Sequence, residues 1–160
     1  MDRADLTVEQ WARERPDLRT LPMAVFGRLN EAAERVMHEH MNPLFAKAGL
    51  QAGEFDVLAT LRRSGAPYML SPTQLYEAMM ISSGGMTDRL DRLERAGLVV
   101  RRPDPKDRRG KLIVLTEPGK RLVDETLSRH VANEERLLLS LTQAEQETLD
   151  KLLKKLIAAL

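Results

Sequence analysis

The sequence predicts a mainly α-helical fold carrying one small β-hairpin. Three observations point there. Apolar residues recur at helical spacing through most of the chain. Ser, Thr and Pro stand where those runs begin, and Gly stands where several of them end. Only residues 98–116 change period, with the β-rich runs LVVRR and KLIVLT. Aromatic residues make up 4% of the 160, while Leu and Ala abound, which disfavours a β-sandwich.

The elements follow in order. Residues 7–15 (TVEQWARER) predict a short helix that stops near Pro16. Thr20 then caps a long helix with Pro22 in its first turn, where a missing N–H is harmless. Its stripe is Phe26, Leu29, Ala33, Val36, Met37 and Met41. It reaches Met41 or Ala46, with a kink or break at Pro43. Residues 54–63 (EFDVLATLRR) make the next helix, with Phe55, Leu58 and Leu61 inward. Ser71, Pro72 and Gln74 form a capping box with Pro at the first helical position. Ile81 falls in a turn, and a further helix runs from about Ser82 to Arg95, closing at Ala96-Gly97. The two β runs then flank PDPKDRRG, which predicts a hairpin with a long basic loop. A helix from Thr116–Pro118 to about Leu139 follows. Thr142 and Glu145 box the start of the last helix, whose stripe is Leu149, Leu152, Leu153, Leu156, Ile157 and Leu160.

Composition narrows the function. There is no Cys, so a disulfide scaffold, a thiol nucleophile and a thiolate metal site are excluded. No apolar run approaches the ~18 residues of a membrane span, and the N-terminal residues lack a secretory pattern. A cytoplasmic protein without a membrane partner is expected. His38 and His40 stand two apart, about 200° around a regular helix, and cannot share a metal ion. No phosphate-binding loop and no nucleophile elbow occurs. No catalytic residue, metal or cofactor is therefore assigned, and no enzyme is expected.

Net charge is +1, but it is unevenly spread. Residues 82–116 carry 9 basic and 5 acidic side chains, while each of the other stretches is neutral or slightly acidic. A basic patch on a neutral chain marks a local anionic partner.

The order helix, capped helix, tight turn, helix, β-hairpin is that of a winged helix-turn-helix. The second helix of such a pair lies in the DNA major groove. Here its start is small and polar, with Ser82, Ser83, Gly84, Gly85 and Thr87. Small residues let backbone approach the duplex, and a helix N-terminus attracts phosphate. On a wheel of ~100° per residue, Met86, Leu90 and Leu93 share the inward face. Gly84, Thr87, Asp88 and Arg95 point the opposite way.

The run from Leu70 to Lys120 resembles the MarR family of bacterial transcription regulators. The wing motif carries the likeness: Asp107-Arg108-Arg109, shortly before a strand ending Leu115-Thr116. The resemblance implies a dimeric MarR-like architecture, a homodimer whose first and last helices interlock. Each winged domain then reads one half of a palindromic operator in double-stranded DNA. Arg109 is implied as the wing-tip arginine entering the minor groove, with Lys106 and Arg108 beside it. Asp107 is implied to brace the wing. The domains are then an N-terminal extension (1–18), a dimerisation helix (19–49), the DNA-binding domain (50–116) and C-terminal dimerisation helices (117–160).

A narrower likeness is to the urate-responsive members of that family. They carry an extra N-terminal helix with a Trp, an Asp in the second helix of the shared core, an Arg in the recognition helix and an Arg opening the wing. Trp11, Asp56, Arg89 and Arg101 match those places. Arg89 also lies at the border of the inward face, where an arginine needs an anionic partner, and Asp56 is a natural one. A planar anion wants guanidinium charge and a flat ring, which Trp11, Arg89 and Arg101 supply. The effector would be urate, xanthine or an organic acid such as citrate or aconitate. Alternatively Trp11 staples the N-terminal arm, and Asp56 with Arg89 is a structural ion pair in a DNA binder without an effector.

Overall fold

The computed structural model of the protein describes residues 1–79 and 85–160, with all their side chains except those of Arg108 and Arg109. The chain folds as two compact units, Met1–Lys47 and Ala48–Leu160.

In the first unit, α1 spans Arg3–Glu14 and starts four residues before the predicted helix. The reason is a capping box built of two aspartates. The Asp5 N–H donates to Asp2 Oδ1 at 2.8 Å, and the Asp2 N–H donates to Asp5 Oδ2 at 3.0 Å. Helix α2 spans Leu21–Arg35. Small residues let α1 and α2 approach. Ala4 and Ala24 are buried, and a Cβ on Gly27 would lie 3.8 Å from that of Ala4. Arg28 closes the pair by donating from Nε to Asp2 Oδ2 at 2.8 Å and pairing with Asp5. Its guanidinium holds the Asp2 carboxyl below the usual carboxylate range.

The break expected at Pro43 takes the form of a π-helical turn, Val36–Met41, followed by α3, Asn42–Lys47. The Asn42 N–H donates to Met37 O, five residues back. Pro43 has no N–H for a carbonyl four residues back, so a widened turn costs the ladder little there. Of the predicted stripe, Phe26, Leu29 and Ala33 are exposed, Val36 and Met37 half-buried and Met41 buried. Leu21 and Val25 of α2 are exposed as well.

In the second unit, α4 (Ala52–Arg63) begins with a reciprocal box between Gln51 and Glu54. Helix α5 (Pro72–Ala78) begins with the predicted Ser71/Gln74 box. Helix α6 covers Met86–Arg95. It enters from Gly85, whose φ of 73° is the left-handed region that glycine adopts without strain. Ser82, Ser83 and Gly84, where the sequence places the start of this helix, lie outside the described residues.

The sheet has three antiparallel strands, β1 (Met69–Leu70), β2 (Val99–Asp104) and β3 (Asp107–Leu115), in the order β1-β3-β2. Met69 pairs with Val114, and Val99 with Leu115. The hairpin corrects the sequence reading. The predicted long loop is mostly strand, because Pro103 pairs with Lys111 and Asp104 with Asp107, leaving Pro105 and Lys106 as the connection. Asp104 Oδ1 accepts the Lys106 N–H at 2.8 Å and closes that turn. The register shifts between Pro103 and Asp104, the kind of irregularity at which a strand tolerates proline.

Helix α7 (Glu117–Leu137) is capped by Thr116, whose Oγ1 accepts the Gly119 N–H at 3.1 Å. Helix α8 (Gln143–Ile157) starts from the Thr142/Glu145 box. The core joins Val57, Leu58 and Leu61 of α4, Leu75 of α5, Leu90 and Leu93 of α6, Val99, Ile113 and Val123, all buried. Helix α8 adds nothing to it: Leu149, Leu152 and Ile157 are exposed, and Leu153 and Leu156 are half-buried.

Candidate nucleic-acid interface

Helices α5 and α6 form the helix-turn-helix pair, and β2–β3 the wing. Leu90 and Leu93 anchor α6 to the core, while Thr87, Asp88 and Arg95 lie on its less buried side, as the wheel predicts. Lys106 is exposed at the tip of the hairpin. Arg108 and Arg109 sit in β3, but their side chains lie outside the described residues. Asp107 is exposed at the start of β3. A Cβ on Gly110 would lie 3.0 Å from that of Asp107 and 3.1 Å from that of Asp104, so glycine there makes room for both aspartates.

The charged side chains of α6 are divided between its two flanks. On one flank they reach α4. The Arg89 side chain lies across Gly53, so that a Cβ there would meet Arg89 Cδ at 2.9 Å and its guanidinium closer still. Asp56, half-buried, is three residues from Gly53 and so on the neighbouring stretch of the same helix face. Arg92 Nε pairs with Glu54 Oε1 at 2.9 Å, and Glu54 Oε2 accepts the Gln51 N–H at 2.7 Å. Glu54 is 4% exposed at its side chain, and these partners offset the cost of burying its charge.

On the other flank, α6 meets the wing. Arg101 of β2 donates from Nη2 to Asp91 Oδ1 at 2.5 Å and from Nη1 to Glu94 Oε2. Its backbone N–H donates to Glu94 Oε1 at 2.9 Å. Its side chain is 28% exposed. The hydrogen bond to Asp91 raises the guanidinium pKa above its usual value; the Glu94 hydrogen bond and both carboxylate charges act in the same direction. Arg89 and Arg101 are therefore held on opposite flanks of α6. Trp11 belongs to the first unit, on α1, and is 42% exposed.

Sequence reasoning missed Glu54, Asp91, Arg92, Glu94 and Arg63. Arg63 donates to Thr60 Oγ1 at 3.2 Å and to the Ala78 carbonyl at the end of α5. The spacing Arg89, Arg92 against Asp91, Glu94 was the available signal. Each pair is three apart and so shares a helix face.

Comparison with known proteins agrees with this architecture. A MarR family model matches residues 48–110. The chain is 44% identical over 146 residues to the HTH-type transcriptional regulator PecS of Dickeya dadantii, covering 91% of this chain and 87% of that protein. Among solved structures, a mutant MarR from E. coli complexed with operator DNA superposes with a TM-score of 0.72. Its identity is 27%, over 91% of this chain and 96% of that one. BpsR of Bordetella bronchiseptica, whose DNA binding is described as regulated by 6-hydroxynicotinic acid, gives a TM-score of 0.65. Its identity is 26%, over 81% of this chain and 98% of that one. With a mostly helical winged-helix fold and relatives of this similarity, the chain belongs to the MarR family of DNA-binding transcriptional regulators.

Proposed function

We propose that the protein is a repressor that binds a palindromic operator as a homodimer and lets go when a small anionic effector binds. The observation that carries this reading is the Arg89 side chain laid across Gly53, beside Asp56 on the same helix. An anion entering there competes with Asp56 for Arg89, repels that carboxylate and shifts α6. The proposed ligand set is Trp11, Asp56, Arg89 and Arg101; Arg101, on the flank of α6 opposite Arg89, must leave Asp91 and Glu94 to join it. Regulation of BpsR by 6-hydroxynicotinic acid, a planar heterocycle with an acidic group, supports an effector of this class. Urate, xanthine and compact organic acids all fit that chemistry.

On the DNA side, Ser82, Ser83, Gly84, Thr87 and Asp88 are the proposed contacts of α6 and the turn before it, and Lys106, Arg108 and Arg109 those of the wing. Asp107 braces the wing. Arg109→Ala should weaken binding to the selected operator by ~1–3 kcal/mol through a lost minor-groove contact. Lys106→Ala should act equally on all sequences and reduce the salt slope by about one unit. Operator binding by Arg109→Ala equal to the parent's at moderate salt rules out entry of the wing into the groove.

The effector is tested by titrating urate, xanthine, hypoxanthine, citrate and trans-aconitate, with and without operator, following Trp11 fluorescence. Trp11 is the only tryptophan. Coupling is reciprocal: an effector that weakens DNA binding tenfold is itself weakened tenfold by DNA, ~1.4 kcal/mol. Trp11→Ala, which has no tryptophan to follow and is read by operator release, should need more effector for release with DNA binding nearly intact, and Asp56→Asn should blunt release. Full release from both variants at unchanged effector concentration would put the effector elsewhere.

A further inference from the structure

We propose that Arg101 is a positioning residue for DNA binding, which neutralises two carboxylates of the recognition helix and ties that helix to the wing.

Helix α6 sets Asp88, Asp91 and Glu94 against Arg89, Arg92 and Arg95. That balance is poor for an element meant to lie among phosphates, where affinity comes mainly from uncompensated Lys and Arg. Two of the three bases are also engaged with α4: Arg92 pairs with Glu54, and Arg89 lies across Gly53. Asp91 would then face the duplex as a bare charge, with Glu94 behind it on the flank toward the wing. Asp91 is nearer on the wheel to the outward line of Asp88 and Arg95 than to the Leu90/Leu93 face, and its side chain is 47% exposed. One arginine answers both. The guanidinium fork gives one nitrogen to Asp91 and the other to Glu94, and the Arg101 N–H takes the second oxygen of Glu94. A planar fork with fixed donors holds two acceptors at once, which a lysine does not. Because Arg101 sits on β2 and both acids on α6, the same contacts fix the angle between the two DNA-reading elements. This role concerns DNA binding alone and holds whether or not an effector ever reaches Arg101.

The test is a rescue. The full chain is assayed on the duplex that the parent protein selects from a randomised pool, with melting temperature recorded for each variant. Arg101→Gln should bind about tenfold more weakly, which is ~1.4 kcal/mol, at a melting temperature close to the parent's. Adding Asp91→Asn and Glu94→Gln to Arg101→Gln should recover most of the lost affinity, since the charges that repelled phosphate are gone, and the remaining deficit measures the lost tie between helix and wing. Arg101→Lys, which keeps the charge but not the fork, should fall between parent and Arg101→Gln. If the triple variant binds as weakly as Arg101→Gln, Arg101 touches DNA itself and the proposal fails. It fails equally if Arg101→Gln binds like the parent, or if Arg101→Lys is as weak as Arg101→Gln.

Discussion

Gly119→Ala is expected to destabilise the second unit severely, although alanine is the better helix former. Gly119 lies in the first turn of α7, where the helix passes over the backbone of Leu98. A methyl group there would sit 2.9 Å from Leu115 Cδ1 and closer still to Leu98 O, far inside van der Waals contact. A side chain could rotate away, but a carbonyl between a helix turn and a strand cannot. Leu98 O also accepts the Thr116 N–H at 3.1 Å and its hydroxyl at 3.0 Å, so pushing it aside breaks the cap of α7. The gain in helix propensity is about 1 kcal/mol. Overpacking costs ~1–3 kcal/mol and more where backbone must move. A net loss of about 2 kcal/mol or more is a large share of an ordinary domain's stability. Urea unfolding of parent and variant measures it directly, and an unchanged midpoint would contradict the close approach of α7 to Leu98.

The second large effect concerns assembly. Leu149, Leu152 and Ile157 are exposed on α8, and Leu153 and Leu156 are half-buried. Leu21, Val25, Phe26 and Leu29 of α2 are exposed as well. Apolar area of this extent on two separate helices suits a partner subunit. The double substitution Leu153→Glu with Leu156→Glu should therefore yield monomer or unfolded chain. Burying what remains exposed of two half-buried leucines contributes ~1.5–3 kcal/mol per subunit, and two carboxylates in such a seam add a desolvation cost. Sedimentation velocity decides: an intact dimer carrying both changes would remove α8 from the interface.

The helices are legible in the sequence because their signals are local. Ser71-Pro72 with Gln74, and Thr142 with Glu145, each state a helix start within four residues, and both helices begin there. The Asp2/Asp5 box uses an uncommon residue pair, so the first turn of α1 escapes such a reading. The wing is obscured for a different reason. Pairing across a hairpin is non-local, and PDPKDRRG has the composition of a loop although most of it lies in strands. Strand β1 is two residues long, and nothing in Met69-Leu70 announces its pairing with β3. For the site, the wheel puts Arg89 at the edge of the core face, and it is half-buried there. It says nothing about Arg101, whose partners are set by the approach of a strand to a helix. Residue identity shows a charge; only tertiary structure shows which opposite charge lies beside it.

Asp2 does two things at once. It caps α1, and it accepts the Arg28 fork that holds α1 on α2. A helix of 12 residues is about the length at which an isolated segment is only marginally helical in water. Its order is thus borrowed from docking, and docking in turn needs the cap that exists only when the helix is formed. Helix and docking are therefore expected to form and melt together, and Trp11 with them.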